Sequence, residues 1–105
     1  MSEATQQPLT LTSLRRQREE IMRLAQKYGA YNIRVFGSVA RGEAHLESDV
    51  DFLVSTREGV SMFDLVGFWL DLQELLGREV SLVTDDQEPR REAFLRQALM
   101  DAVPL

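Results

Sequence analysis

Apolar residues recur along this chain with two periods, one typical of helices and the other of strands. Three stretches place an apolar residue at every third or fourth position, as one face of a helix requires. These helical stretches are residues 12–28, 61–76 and 88–102. The short apolar runs between and beside them predict strands. These runs are Ile33–Phe36, Val50–Val54 and Glu79–Val83. The element order predicts an α/β (α+β) fold, a small mixed sheet packed against helices, with the strand order left open.

Local signals predict where the first two helices begin and end. Thr12 or Ser13 is suited to cap the first helix, and Gly29 follows its last apolar residue. Ser61 and Gly77 stand at the corresponding ends of the second helix. The second helix is therefore expected over Met62–Leu76.

The length of the chain predicts a single domain over residues 1–105, enough for one modest core. Residues 1–10 are polar, contain Pro8 and lack a period, so we expect a frayed, disordered tail. The third helix is expected to end at Pro104.

The second predicted helix carries more apolar residues than one buried stripe needs. They cover well over half of its circumference, which indicates contact on two sides or a protein interface. Trp69 is a candidate anchor for such an interface. The alternative is a small sheet that its main helix covers deeply, and the pattern does not choose between the two.

Charge and composition exclude several classes of protein. The net charge of −5 argues against broad binding of nucleic acid, although one RNA end could still enter a metal-lined cleft. It also suits a basic protein partner. The absence of cysteine excludes a disulfide framework and a thiolate metal site. No apolar run is long enough to span a membrane, and the N-terminus does not resemble a signal peptide, so a cytoplasmic protein is expected.

The chemistry of the chain is predicted to lie where the first two strands meet a glycine–serine turn. Gly37 allows a sharp turn, and Ser38 can offer its hydroxyl and backbone N–H to a phosphate oxygen. Asp49 and Asp51 are two residues apart, so their carboxylates point to the same face of the second strand. Mg²⁺ binds one or two carboxylates and completes its coordination with substrate phosphates. A phosphate cradle beside paired metal ligands indicates a nucleotide site.

Gly37-Ser38, ten intervening residues and Asp49-Val50-Asp51 resemble the signature of the DNA polymerase β-type nucleotidyltransferase superfamily. The sequence GSVARGEAHLESDVDFLV resembles that of its smallest branch, the minimal nucleotidyltransferase (MNT) domain. The resemblance implies a palm-like fold, Mg²⁺ as cofactor and ATP as substrate. It also implies an antitoxin whose partner is a helical HEPN toxin, often an RNase, with a tyrosine hydroxyl as the acceptor of AMP.

The third strand departs from the family pattern. The resemblance implies a third carboxylate on this strand, at the position occupied by Ser81. Serine is neutral and a poor proton acceptor, so the metal on the nucleophile side should bind more weakly. Glu79 shares the face of Ser81 but lies about 6.6 Å further along the strand. Asp85 and Asp86 follow the strand, and Asp86 is suited to cap the next helix.

Arg41 is the remaining candidate for the site. It follows the glycine–serine turn on the same helical turn, from which its guanidinium can reach a triphosphate oxygen. The alternative is a surface arginine paired with Glu43.

Three functions remain open at this point. The leading hypothesis is an antitoxin nucleotidyltransferase that places AMP on the toxin, with Asp49 and Asp51 as catalytic metal ligands and Gly37, Ser38 and Arg41 binding phosphate. The second is a catalytically weak or inactive antitoxin that neutralises the toxin by binding, as Ser81 and the apolar second helix suggest. A transferase acting on RNA 3′ ends fits less well, because the chain is short and acidic.

Overall fold

The computed structural model describes residues 9–45, 49–85 and 92–105. The helices are α1 (Leu11–Arg15), α2 (Arg18–Tyr28), α3 (Gly37–Arg41), α4 (Met62–Leu76) and α5 (Glu92–Asp101). The strands are β1 (Ala30–Phe36), β2 (Val50–Thr56), β3 (Val80–Thr84) and β4 (Val103–Pro104). Most of the predicted tail and Asp86 lie outside the described residues.

The four strands form one mixed sheet in the order β3-β2-β1-β4. Strand β1 pairs antiparallel with β2 and with β4, whereas β2 and β3 run parallel. The predicted α/β class with a small mixed sheet is therefore confirmed. The order places β2 between the strand that leads into the glycine–serine turn and the strand that carries Ser81.

Both faces of β2 are buried, which is why its sequence reads as a nearly continuous apolar run. Val50, Phe52 and Val54 are fully buried in the main core, on the face covered by α2 and α4. Leu53 points to the opposite face, where it packs with Phe36, Val83 and Ala98 of α5. Helices α2 and α4 thus cover one face of the sheet. On the other face α5 packs against Leu53, and the start of β2, which carries Asp51, is polar.

The prediction of one helix over residues 12–28 is wrong, because the chain forms two. Thr10, and not Thr12 or Ser13, caps α1, with its hydroxyl oxygen 3.1 Å from the Ser13 nitrogen. Arg15, in the last turn of α1, donates to the backbone oxygens of Pro104 and Leu105. This tertiary contact fixes α1 against the end of the sheet, and a helical period alone does not reveal it.

The end of the third predicted helix is also different. Helix α5 ends at Asp101, and Val103 and Pro104 pair with β1 as a short edge strand. Pro104 fits there because an edge strand tolerates a residue without an N–H. Leu105 continues the contact with a bond of 3.1 Å from its nitrogen to the Ile33 carbonyl.

Helix α4 matches the prediction over its whole length. Ser61 and Asp64 form a reciprocal capping box at its start, and Gly77 adopts the left-handed conformation at its end. Across the described residues, α4 included, no helix combines the length and apolar content needed to cross a bilayer.

Candidate active site

Gly37 lets the carboxylate of Asp51 lie against the turn between β1 and α3. Its φ is +74°, in the region that favours glycine, and a Cβ placed on it would overlap Asp51 Oδ2. The register explains the contact, because Asp51 is the direct neighbour of Phe36 on the antiparallel strand. The structure therefore brings the predicted turn and one predicted aspartate together.

Asp49 and Asp51 are close enough to repel each other. Asp51 is half-buried on β2, whereas Asp49 is exposed just before this strand begins. Burial raises the pKa of Asp51, the charge of Asp49 raises it further, and the charge of Arg41 lowers it in part. The ionised form of Asp51 is thus disfavoured by its surroundings, and a cation between the two carboxylates would relieve this.

The chemistry of this donor set suits Mg²⁺. No cluster of three or more His, Cys, Asp or Glu side chains arranged for a metal occurs among residues 9–45, 49–85 and 92–105. Two aspartates alone do not complete an octahedron, but Mg²⁺ commonly takes one or two carboxylates and fills the remaining positions with water and phosphate. The residues present fit a metal ion that binds together with a phosphorylated substrate.

Ser81 lies directly beside Asp51. The two residues are partners in the parallel register, so their side chains project from the same face of the sheet. Asp85 lies four residues further along the chain, where its carboxylate accepts hydrogen bonds from Arg34 and Ser55. Its carboxylate balances a largely buried arginine at the other end of the strand and does not replace the missing ligand.

Arg41 makes both the predicted surface pair and a contact that the sequence does not reveal. Its Nε donates to Glu43 Oε1 at 3.0 Å, and its Nη1 donates to Asp101 Oδ2 at 2.7 Å. These bonds to Glu43 and Asp101 raise the pKa of Arg41, so it stays charged. Its effect on Asp51 places its charge near the paired aspartates, and its Nη2 donors take no part in these two bonds.

Asp101 is the residue of this site that sequence reasoning missed. It is 60 residues from Arg41 along the chain and lies in the last turn of α5. No local pattern indicates the contact, because an acidic residue on the polar side of a helix is expected to face solvent. Only the packing of α5 beside α3 brings the two side chains together.

Comparisons with known proteins identify the family of this chain. The family model of the nucleotidyltransferase domain matches residues 14–105. The protein adenylyltransferase MntA of Thermococcus cleftensis is 43% identical over 60 residues, which are 57% of this chain and 61% of that protein. The match thus spans less than two thirds of this relative.

Solved structures share the fold of this chain. One that is described as a candidate minimal nucleotidyltransferase is 42% identical, with a TM-score of 0.77 over 92% of this chain and 97% of that one. A crystal structure of a toxin–antitoxin with AMP-PNP has a TM-score of 0.69 at 20% identity, over 82% of this chain and 69% of that one. At that identity the second likeness shows the fold alone. By sequence and by fold, this chain belongs to the nucleotidyltransferase domain family, a family of transferases.

Proposed function

We propose that this protein transfers AMP from ATP to a hydroxyl group of a partner toxin, with Mg²⁺ as cofactor, and thereby neutralises the toxin. The observation that carries the proposal is the carboxylate of Asp51, held against Gly37 and within repulsive range of Asp49. This arrangement would set a metal-bound phosphate chain beside the turn that begins α3. A tyrosine hydroxyl of a HEPN-type RNase is the acceptor that the family resemblance implies.

Each residue of the site has a part in the proposed reaction. Asp49 and Asp51 would hold Mg²⁺, which supplies positive charge to the phosphates and activates the attacking hydroxyl. The backbone N–H and hydroxyl of Ser38 and the guanidinium of Arg41 would bind the terminal phosphates. The acceptor oxygen attacks the α-phosphorus in line, the bond to the β-phosphate oxygen breaks, and pyrophosphate leaves. The hydroxyl proton passes to solvent or to an aspartate.

The relatives support the identity of donor and partner. The relative from Thermococcus cleftensis is named a protein adenylyltransferase, and this name implies AMP transfer to a protein. The toxin–antitoxin structure with AMP-PNP joins the same fold to a toxin and to an ATP analogue. We carry both properties over to this chain as parts of the proposal.

Neutralisation by binding alone is the second candidate function. Ser81 leaves the site one carboxylate short, which weakens the case for fast transfer. Four apolar side chains on α4 face outward, which favours a protein-binding surface: Met62, Phe63, Val66 and Leu70. An antitoxin of this kind would keep the fold and mask its partner.

Removing either aspartate should abolish transfer. Incubation of the protein with labelled ATP, Mg²⁺ and its partner should label the partner, and Asp49→Ala or Asp51→Ala should lower the labelling rate at least about 1000-fold, since each removes a metal ligand. Glu58→Ala, which removes an exposed carboxylate from a loop, is the matched control and should label normally. An unlabelled partner would rule out the transferase, and neutralisation that survives the double aspartate variant would favour masking.

Restoring a carboxylate at position 81 should strengthen the site. Ser81→Asp places an anion beside Asp51, so Mg²⁺-dependent labelling should rise about tenfold or more through tighter metal binding. Ser81→Asn keeps the size of the new side chain without its charge and should show no gain. Equal rates for Ser81→Asp and the unaltered protein would mean that position 81 does not reach the metal.

Gly37→Ala should weaken nucleotide binding by displacing the carboxylate of Asp51. Gly42 is the matched control, because its φ is also +74° but a Cβ placed there meets no described residue within 4 Å beyond its immediate surroundings in the chain. Both alanines carry a similar backbone cost of about 1–2 kcal/mol, and only the one at position 37 meets Asp51. We expect calorimetry to detect Mg²⁺-ATP binding by Gly42→Ala and a loss of at least about tenfold in affinity for Gly37→Ala, with both variants folded by circular dichroism. Similar affinities would show that the contact with Asp51 is unimportant.

A further inference from the structure

An apolar stripe on α4 lies outside the core that the described residues form. Met62, Phe63, Val66 and Leu70 are exposed to 72%, 90%, 43% and 51%. Their spacing places them on one side of the helix, opposite the buried Phe68 and Leu72. The stripe is about 12 Å long by ordinary helix rise, roughly two turns. A continuous row of exposed apolar side chains of this size is typical of a binding surface.

The stripe continues into a groove between α4 and the edge strand β3. The groove has a volume of about 230 Å³ and is lined by Met62, Leu65, Val66, Trp69 and Leu82. Leu82 points to the same face of the sheet as Phe52, toward α4, whereas its neighbour Ser81 points toward Asp51. We call the stripe and this groove the α4–β3 face. Strand β3 is common to this face and to the candidate active site.

The start of the β3 edge is poorly suited to the addition of another strand. The bonds from Val50 nitrogen to the Glu79 carbonyl and from Asp85 nitrogen to the Val54 carbonyl show that odd-numbered residues of β3 bond to β2. The even-numbered residues turn their backbone groups to the edge. At Val80 both groups are already satisfied, since Trp69 Nε1 donates to its carbonyl and Gln73 accepts from its N–H. A partner segment is therefore better held by side-chain packing than by backbone pairing.

The charges that α4 itself contributes are acidic. Helix α4 contains three charged residues, Asp64, Asp71 and Glu74, and no basic one. Asp64 caps the helix, and Asp71 is paired with Lys27 and Tyr28 of α2. Glu74, four residues after Leu70, is therefore the exposed carboxylate that continues the stripe. Two copies of this face would bring like charges together on a chain of net charge −5. A basic partner is favoured over a second copy.

We propose that the α4–β3 face binds an amphipathic α-helix of a partner protein, with an apolar stripe flanked by Lys and Arg. Apolar side chains at spacings of three and four residues would pack along Met62, Val66 and Leu70 and into the groove beside Trp69, as in other helix-in-groove complexes. The inference rests on the proposed function only in identifying the owner of this helix with the protein that accepts AMP. A partner bound here lies against the strand whose Ser81 adjoins Asp51.

Trp69 provides the test, because it is the only tryptophan and it lines the groove. The probe is an 18-residue helical peptide with Leu on one face and Lys on both flanks, and its control replaces every Lys with Glu. We expect the basic peptide to shift the emission of Trp69 to shorter wavelength and the acidic peptide to bind at least about tenfold more weakly. Added salt should weaken the binding of the basic peptide, because it screens the attraction between charges.

A double variant, Phe63→Ser with Val66→Ser, should reduce the affinity for the basic peptide at least about tenfold and leave the far-ultraviolet circular dichroism unchanged, because both side chains are exposed. The matched control is Tyr31→Ser with Met100→Ser, which removes two exposed apolar side chains away from α4 and should bind normally. Equal binding of both peptides, equal loss in both double variants, or no binding at millimolar peptide would overturn the proposal. A dimer of the free protein that the Phe63/Val66 variant dissociates would assign the face to a second copy instead.

Binding of Mg²⁺-ATP, measured on the same variants, separates the two proposals. The Phe63/Val66 variant should retain nucleotide affinity, since its substitutions lie on the opposite face of the sheet from Asp51. Loss of peptide binding with retained nucleotide binding supports the α4–β3 face as the site of the partner helix. If the protein binds the peptide but no nucleotide, the proposed role of the α4–β3 face is supported and the proposed transfer of AMP is refuted.

Discussion

The repulsion between two carboxylates, one of them half-buried, is the constraint on which the site depends. Asp51 lies against a turn that has no side chain to push it away, and Asp49, just before β2, is near enough for its charge to act on Asp51. Burial and this neighbouring charge raise the pKa of Asp51, and Arg41 offsets only part of the effect. A cation beside the two carboxylates would stabilise the ionised form of Asp51.

The fold maintains this arrangement because β2 is anchored on both faces. Phe52 is fully buried beneath α2 and α4, and Leu53 packs beside α5, so the strand cannot slip without exposing one of them. Its register then sets Asp51 beside Phe36 on one side and beside Ser81 on the other. The same register directs Leu82 to the helical face. The sheet at β2 and β3 thus separates the candidate active site from the surface proposed for the partner.

Features with local causes could be predicted from the sequence, and features with distant causes could not. Helix α4 was predictable to the residue because Ser61 and Gly77 signal its ends by themselves. The turn and both aspartates were recognisable because their spacing is a local pattern. Arg15, at the end of α1, bonds to the far end of the chain, and Arg41 meets Asp101 across 60 residues. Strand β4 exists only because β1 offers it an edge.

The binding of Mn²⁺ in place of Mg²⁺, followed by electron paramagnetic resonance with and without a non-hydrolysable ATP analogue, tests the central claim most directly. The account predicts that the analogue raises the affinity for Mn²⁺ at least about tenfold, because two aspartates supply only part of a coordination shell that phosphates complete. It also predicts that Asp51→Asn removes this coupling. Mn²⁺ binding that is indifferent to the analogue, or unchanged in Asp51→Asn, would contradict the account.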